Sequence, residues 1–466
     1  MEATTGARPV RRGLLRRKAD YIPPSRYTLR AALTDGDAFT RLSFLILGAG
    51  NIARKQILKG LLFLAVEIAY IAFMATSGAE NLAMIPSLGW REQTAEKIDG
   101  YWHYTPGDNS VIVLLYGVAT IFITLLFVVF WAYAVRSAYK AQLLAAETGS
   151  APDFIQDWRN ITDREAQVSL MALPVLGILI FSILPTLFMM CMAFTNYDSD
   201  HVLLFDWVGL ENFGQLFSAD GAVNASLFGE VLAWTLVWAF FATFLNFFLG
   251  LFLAMVINRP TTRLKGFWRA VFSLSIAVPQ FVSLLVINQM LQPEGAINRL
   301  LMSWGWIDEA LPFFTDATWA RVTVIVVNLW IGIPFTIMQI TGILQNIPAE
   351  QYEAARIDGA NWWQTFTRIT MPYLVFVLTP YLITTFTGNV NNFNVIYLLS
   401  NGNPTPVGAT AGKTDLLITW LYKLTVDKGD YNLGAVIGIF TFITLAIVSL
   451  ITYRSSASYK DEGGFR

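Results

Sequence analysis

Cysteine and histidine are nearly absent from this chain. Of its 466 residues one is cysteine, Cys191, and two are histidine, His103 and His201. A single thiol excludes a disulfide framework and a cysteine metal cluster. Two histidines leave little for a histidine-based metal site. Charge is scarce as well: Asp, Glu, Lys and Arg supply 14% of the residues, against about a quarter in an ordinary soluble protein. No HExxH, CxxC or GxSxG occurs, so the common metalloprotease, redox and serine-hydrolase signatures are missing. No nucleic-acid-binding module and no short-period repeat is present. What abounds is apolar: 55% of the residues are hydrophobic, and the mean hydropathy is +0.50. A soluble fold would have to bury nearly all of its own surface. The composition predicts an all-α, polytopic membrane protein.

A helix needs about 20 apolar residues to cross roughly 30 Å of hydrocarbon. Eight segments meet that length, near 57–77, 111–135, 168–195, 228–257, 267–291, 320–344, 371–387 and 433–453. The seventh is short, threonine-rich and interrupted. The run LSFLILGAG at 42–50 is too brief to span and reads as an interfacial helix. With the N-terminus inside, 25 of the 32 Lys and Arg residues fall in cytoplasmic segments and 7 outside. The positive-inside rule then puts both termini in the cytoplasm. The external loop 196–230 has no Lys or Arg but carries Asp198, Asp200, Asp206, Glu211, Asp220 and Glu230. The chain divides into a basic N-terminal segment (1–56), three spans (57–195), this external loop (196–230), a core (231–453) and a cytoplasmic tail (454–466). The arginine cluster VRRGLLRRK reads as a topogenic anchor, and no cleavable signal is expected. Glu67, the one acid well inside an early span, reads as a helix contact. Pro174, Pro185 and Pro279 read as kinks. Trp90, Trp102, Trp131, Trp207 and Trp319 read as interfacial belts, and the two histidines as surface groups.

The stretch Gly408-Ala409-Thr410-Ala411-Gly412-Lys413-Thr414 resembles a phosphate loop but fails its spacing. GxxxxGK[ST] needs glycine at 407, which is valine. Nucleotide binding is not expected there, nor a metal or cofactor on this chain. The most informative segment is IPAEQYEAARIDGANWWQTFTRITMPYL, residues 347–374. Pro348 suits the first turn of a helix. Gly359 permits a tight turn or a close approach, and Pro372 reads as the stop of a second helix. Glu350, Glu353 and Asp358 are expected to face Arg356 and Arg368. This is a short helix–turn–helix at the inner face, with small residues Ala354, Ala355, Gly359 and Ala360 where another protein could come close.

Glu353-Ala354-Ala355, Gly359, Ile369 and Pro372 match the EAA motif: EAA, three residues, G, nine residues, I, then P. In this the chain resembles the permease subunits of bacterial binding-protein-dependent ABC importers. The blocks VVNLWIGIPF (326–335), TTFTGNVNNFNVIYLLSNGN (384–403) and AGKTDLL (411–417) resemble the larger permease subunit of maltose/maltodextrin importers. The resemblance implies the type I importer permease fold in the bacterial inner membrane. It implies a second homologous permease, two copies of an ATP-binding subunit that carries ATP and Mg²⁺, and an extracytoplasmic sugar-binding protein. It makes Glu353, Ala354, Ala355, Asp358, Gly359 and Ala360 the contact to the ATPase. It maps sugar contacts to Asn328, Ile331, Gly332 and Phe335 in the sixth span and to Thr385, Gly388, Asn389 and Asn392 in the seventh. Two positions depart from the family pattern: 335 is Phe rather than Tyr, and 388 is Gly rather than Phe. The loop 196–230 is also too short to hold the large external domain some members carry.

The residues themselves fit a sugar path. An oligosaccharide offers hydroxyls at its rims and C–H patches on its ring faces, so it needs uncharged amides beside aromatic rings. Asn in a span is expensive unless something uses it. Helix-to-helix hydrogen bonding is the other use, and Asn328, Asn389 and Asn392 remain open to both. Pro334 is expected to interrupt the sixth span. A different transporter class, driven by ions, would need paired ionisable residues in the spans, where Glu67 stands nearly alone. Sidedness is directly testable. In a Cys191→Ser background, single cysteines in 196–230 should react with a membrane-impermeant maleimide in intact cells, and those in 347–372 should not. Labelling of the second set would reverse the orientation.

Overall fold

A computed structural model describes residues 22–99, 101–159, 166–218, 223–259 and 261–455. The basic cluster at 10–18, Asp220 and the tail from 456 onward lie outside the described residues. Seven described helices are long and apolar enough to cross a membrane: Ile57–Met84, Ser110–Thr148, Ser169–Met192, Ala225–Asn258, Ala317–Leu344, Trp362–Leu399 and Tyr431–Arg454. A bent pair, Lys265–Ala277 with Gln280–Met290, makes an eighth crossing if taken as one span. They follow the order of the eight expected segments, and ordinals below refer to that order. Among the described residues the one sheet is a hairpin, β1 (Thr94–Ile98) against β2 (Tyr101–Thr105), between the first two spans; His103 lies on it opposite Glu96.

The chain forms two compact units, Met1–Met189 with Leu203–Trp207, and Met190–Val202 with Val208–Arg466. In the first, the second span is much longer than a bilayer needs. Its 39 residues reach about 58 Å at 1.5 Å per residue. Asn109 caps its start, accepting from the N–H of Val111 and Ile112 at 3.0 and 3.2 Å. Its far end packs on the N-terminal segment in a core of Ala32, Leu47, Phe63, Ala134, Val135 and Tyr139. Here the expected interfacial helix at 42–50 does not form. The chain turns between two short helices, Ala38–Leu42 and Ala49–Ala53. Gly48 sits at φ +85°, and a Cβ there would fall 2.1 Å from the Gly60 carbonyl oxygen. That close approach to the first span needs two glycines and breaks the helix. The Leu47 N–H released by the turn is taken by the buried Glu67 carboxylate at 2.8 Å, so Glu67 is a helix contact. Two of the expected belt residues also donate to backbone. Trp131 Nε1 donates to the Phe44 carbonyl at 3.0 Å and Trp207 Nε1 to that of Ile85 at 2.8 Å.

In the second unit the fourth span packs along the sixth. Gly250 allows this, since a Cβ there would lie 2.6 Å from the Thr336 side chain. Two apolar clusters fill the unit, one around Trp234, Trp238, Val324 and Ile396, the other around Phe247, Leu251, Ile340 and Leu374. The fifth span bends where Pro279 was expected to kink it: its halves meet at 85°. Proline at 279 disfavours helical backbone at the preceding residue, and Val278 is accordingly extended at φ −85°, ψ 127°. Pro334, by contrast, does not interrupt the sixth span, which runs through it from Ala317 to Leu344. One missing N–H is tolerated where the helix is packed and the proline itself is buried.

The AGKTDLL block is structural glue. Asp415 is fully buried and accepts from Gly412 N–H at 2.6 Å, Thr419 Oγ1 at 2.9 Å and Lys423 Nζ at 2.7 Å. Gly412 presses on the Gly402 carbonyl oxygen, which a Cβ would approach to 1.9 Å. Lys413 pairs with Glu230 at 2.7 Å. The backbone that mimics a phosphate loop is thus occupied by the chain's own carboxylate. Asp415→Ala would strand Lys423, whose side chain is 14% exposed, at a cost of about 3–5 kcal/mol. A clear fall in the unfolding temperature of the purified protein is expected, with partial recovery in Asp415→Leu/Lys423→Met. An unchanged transition in Asp415→Ala would remove this role.

Candidate functional site

Four helices of the second unit surround a cavity of about 220 Å³. The sixth span lines it with Asn328, Ile331, Gly332, Phe335 and Thr336, and the seventh with Tyr381, Leu382, Thr385 and Asn389. In each helix these positions recur every three or four residues and so form one stripe. The fourth span adds Thr243, Asn246 and Phe247, the bent span adds Gln280, and Asn392 closes the edge. No lining side chain is ionisable except the Tyr381 phenol. Amides and hydroxyls alternate with rings and aliphatic groups. Seven of the eight residues singled out in the sequence meet here. Gly388 does not: it is exposed, and a Cβ there would meet nothing within 4 Å.

The three asparagines do different work. Asn389 donates from Nδ2 to Thr243 Oγ1 at 3.0 Å, and its backbone oxygen accepts from Trp238 Nε1 at 3.0 Å. Asn392 donates to Asn389 Oδ1 at 3.3 Å and caps the helix Phe393–Leu399 through Val395 N–H at 3.3 Å. Both line the cavity; Asn389 also holds the fourth and seventh spans together, and Asn392 braces Asn389. Asn328 is 4% exposed and its side chain makes no hydrogen bond among the described residues, which leaves its amide to the cavity. Sequence reasoning missed Thr243, Asn246, Gln280 and Tyr381. Their signal was a lone polar group inside an apolar run, which is too common to single out a site.

The EAA segment folds as a helix–turn–helix. The first helix is Ala349–Ile357, and Gly359 follows at φ +72°. A Cβ at 359 would meet nothing within 4 Å, so the left-handed backbone, and not close helix approach, requires the glycine. Asn361 and Gln364 form a reciprocal capping box, each bond 2.9 Å, at the start of Trp362–Thr365. Pro372 does not stop this helix before the seventh span. A wide π turn at Phe366–Thr370 carries it into Met371–Val390, where the proline occupies the first turn. A local π adjustment of this kind is one way a membrane helix absorbs a proline's missing N–H. Tyr352 Oη and Thr370 Oγ1, 3.1 Å apart, tie the two arms. The expected ion pairs with Arg356 and Arg368 are absent among the described residues. Glu350, Glu353 and Asp358 stand exposed, as do Ala354 and the apolar Ile357, Trp362 and Trp363, while Ala355 is buried and Ala360 half-buried. Glu353 has no partner within the described chain. A groove of about 700 Å³ runs beside it, bounded by Asn258, Arg259, Tyr352, Arg356 and Trp362. At the opposite end of the unit, His201 Nδ1 lies 2.8 Å from Asp198 on the surface.

The model of one family, "Binding-protein-dependent transport system inner membrane component", matches residues 246–458. The galactooligosaccharides transport system permease protein GanP of Bacillus subtilis is 35% identical over 90% of this chain and 97% of its own length. The maltodextrin transport system permease protein MalC of Streptococcus pneumoniae is 33% identical over 90% of this chain and 95% of its own. The maltose/maltodextrin transport system permease protein MalF of Klebsiella aerogenes is 34% identical over 53% of this chain and 49% of its own. Among solved structures, a chain of a bacterial alginate ABC transporter, in complex with a periplasmic protein bound to an alginate pentasaccharide, is similar. It is 26% identical over 65% of this chain and 98% of that one, with a TM-score of 0.53. Matched by that family model and by relatives along nearly its whole length, the chain belongs to the binding-protein-dependent transport system inner membrane components, the permease subunits of ABC importers.

Proposed function

We propose that this permease carries malto-oligosaccharides or closely related sugars. The observation that carries the reading is the cavity: uncharged, rich in amides, and walled by Phe335 and Tyr381. Neutral amides hydrogen-bond sugar hydroxyls without the desolvation cost of charges, and the rings cover C–H faces. Asn328 is the best-placed hydroxyl partner, since nothing among the described residues competes for its amide. ATP is hydrolysed on a separate subunit, and no part of this chain is proposed to hold ATP or Mg²⁺. Both termini lie in the cytoplasm of a bacterial cell, with the chain in its inner membrane. A second homologous permease completes the path, two ATPase copies engage the EAA loops, and a binding protein delivers sugar from outside. Closure of the ATPase dimer moves Glu353 and its helix, and the cavity opens outward. Galacto-oligosaccharides are the second reading, favoured by the likeness to GanP at 35% identity. Uptake across a panel of α-glucans and β-galactans, with the matching binding protein, decides between them.

Two further outcomes follow. Asn328→Leu should lower uptake about tenfold or more, because an unpaired sugar hydroxyl costs roughly 1–3 kcal/mol, while thermal stability is unchanged. Asn389→Leu should lower both, since Thr243 and Asn392 lose a partner. Equal stability loss in the two variants would reduce all three asparagines to helix contacts. Glu353→Lys should abolish ATP-driven uptake without lowering the stability of the isolated subunit, because Glu353 has no partner within the described chain. Gly359→Asp should also abolish uptake through backbone strain. A Glu353→Lys complex that imports sugar at the wild-type rate would overturn the coupling role.

A further inference from the structure

We infer that Asn246 is a further sugar-contacting residue, an acceptor covered in this arrangement of the helices and uncovered during transport. The inference rests on the sugar-path reading of the cavity. Asn246 follows directly on a π turn, Phe241–Leu245, in the fourth span. Such turns inside α-helices gather at functional sites. Its backbone N–H goes to the Thr243 carbonyl, and its side-chain Nδ2 donates to the Ala242 carbonyl at 2.6 Å. A carbonyl only accepts, so the amide nitrogen must occupy that end. The other end, Oδ1, is then fixed as an acceptor. It is buried and meets no donor among the described residues.

Gly332 of the sixth span is what covers it. A Cβ at 332 would lie 2.4 to 2.6 Å from the atoms of the Asn246 amide. The glycine therefore leaves room for the amide rather than for a ligand. A covered acceptor without a donor destabilises the arrangement that contains it. A protein with one working arrangement gains nothing from that. A transporter with two gains if the second satisfies the oxygen, because the imbalance then favours the switch. Asn246 also lies on the cavity wall beside Phe247 and Asn328. When the fourth and sixth spans shift against each other, Oδ1 opens onto bound sugar and accepts a hydroxyl proton. Ring and glycosidic oxygens carry no proton and cannot replace it, so the contact reads one free hydroxyl.

The test uses the assembled importer in proteoliposomes, with its second permease, ATPase and binding protein. ATP-driven uptake is measured for a trisaccharide and for its singly deoxygenated derivatives. Each variant is compared with wild type using the same binding protein, so delivery cancels. Asn246→Leu should lower uptake of the parent sugar about tenfold. One deoxy derivative, poorly carried by wild type, should be carried by the variant as well as the parent sugar. Gly332→Ala should lose the same discrimination by displacing the amide, and adding Asn246→Leu to it should cost nothing more. Asn246→Ala is expected to behave alike and replaces the leucine variant if that fails to assemble. Unchanged uptake, or an equal fall for every derivative with discrimination kept, overturns the role of Asn246. Asn328→Leu and Phe335→Ala in the same assay separate the two readings. If they reduce uptake while Asn246→Leu keeps wild-type discrimination, the cavity stands and Asn246 falls. If they too transport normally, the sugar path fails and this inference with it.

Discussion

A polar group inside hydrocarbon has no water to fall back on, and this condition organises the chain. Backbone groups meet it by forming helices. Side chains meet it one at a time, and each solution leaves a recognisable trace. Glu67 takes the Leu47 N–H. Trp238 takes the Asn389 carbonyl, and Asn389 takes Thr243. Among the described residues three buried side-chain atoms are left without a partner, Asn51 Oδ1, Arg269 Nε and Asn246 Oδ1. The last of them lies on the cavity wall, as does the Asn328 amide.

The same condition accounts for the glycines. Gly48 against Gly60, Gly250 against Thr336, Gly332 against Asn246 and Gly412 against Gly402 each let two segments meet where a methyl would not fit. Gly359 differs: it is open on all sides and is needed for its backbone angle alone. Close packing and a left-handed backbone are separate uses of one residue.

Much of this was legible in the sequence, and the limits have a physical pattern. Length and hydropathy found the spans, because a helix must cross on its own strength. Local chemistry found the helix–turn–helix at 347–372, whose cap, turn and prolines lie within a few residues of one another. The resemblance to maltose/maltodextrin permeases singled out Asn328, Ile331, Gly332 and Phe335, and helical spacing puts them on one face. What escaped was set by partners distant in the chain. The turn at 42–50 depends on Gly60, and the double use of Asn389 depends on Thr243, 146 positions away. Lys413 reads as part of a phosphate loop until Glu230, 183 positions away, takes its charge. The ion pairs expected in the EAA segment failed for the opposite reason. Proximity in sequence suggested them, but exposed charges gain little from pairing.

The helical path from Trp362 to Val390 has a mechanical consequence. At 1.5 Å per residue its length is about 40 Å, with the EAA segment at one end and Asn389 at the other. Under the coupling role proposed above, a sideways push on the Trp362 end would reach the cavity wall along this one helical path. The wide turn at Phe366–Thr370 and Pro380 are the two places where the rod can bend. Where it bends would set how much of a displacement at Trp362 reaches Asn389.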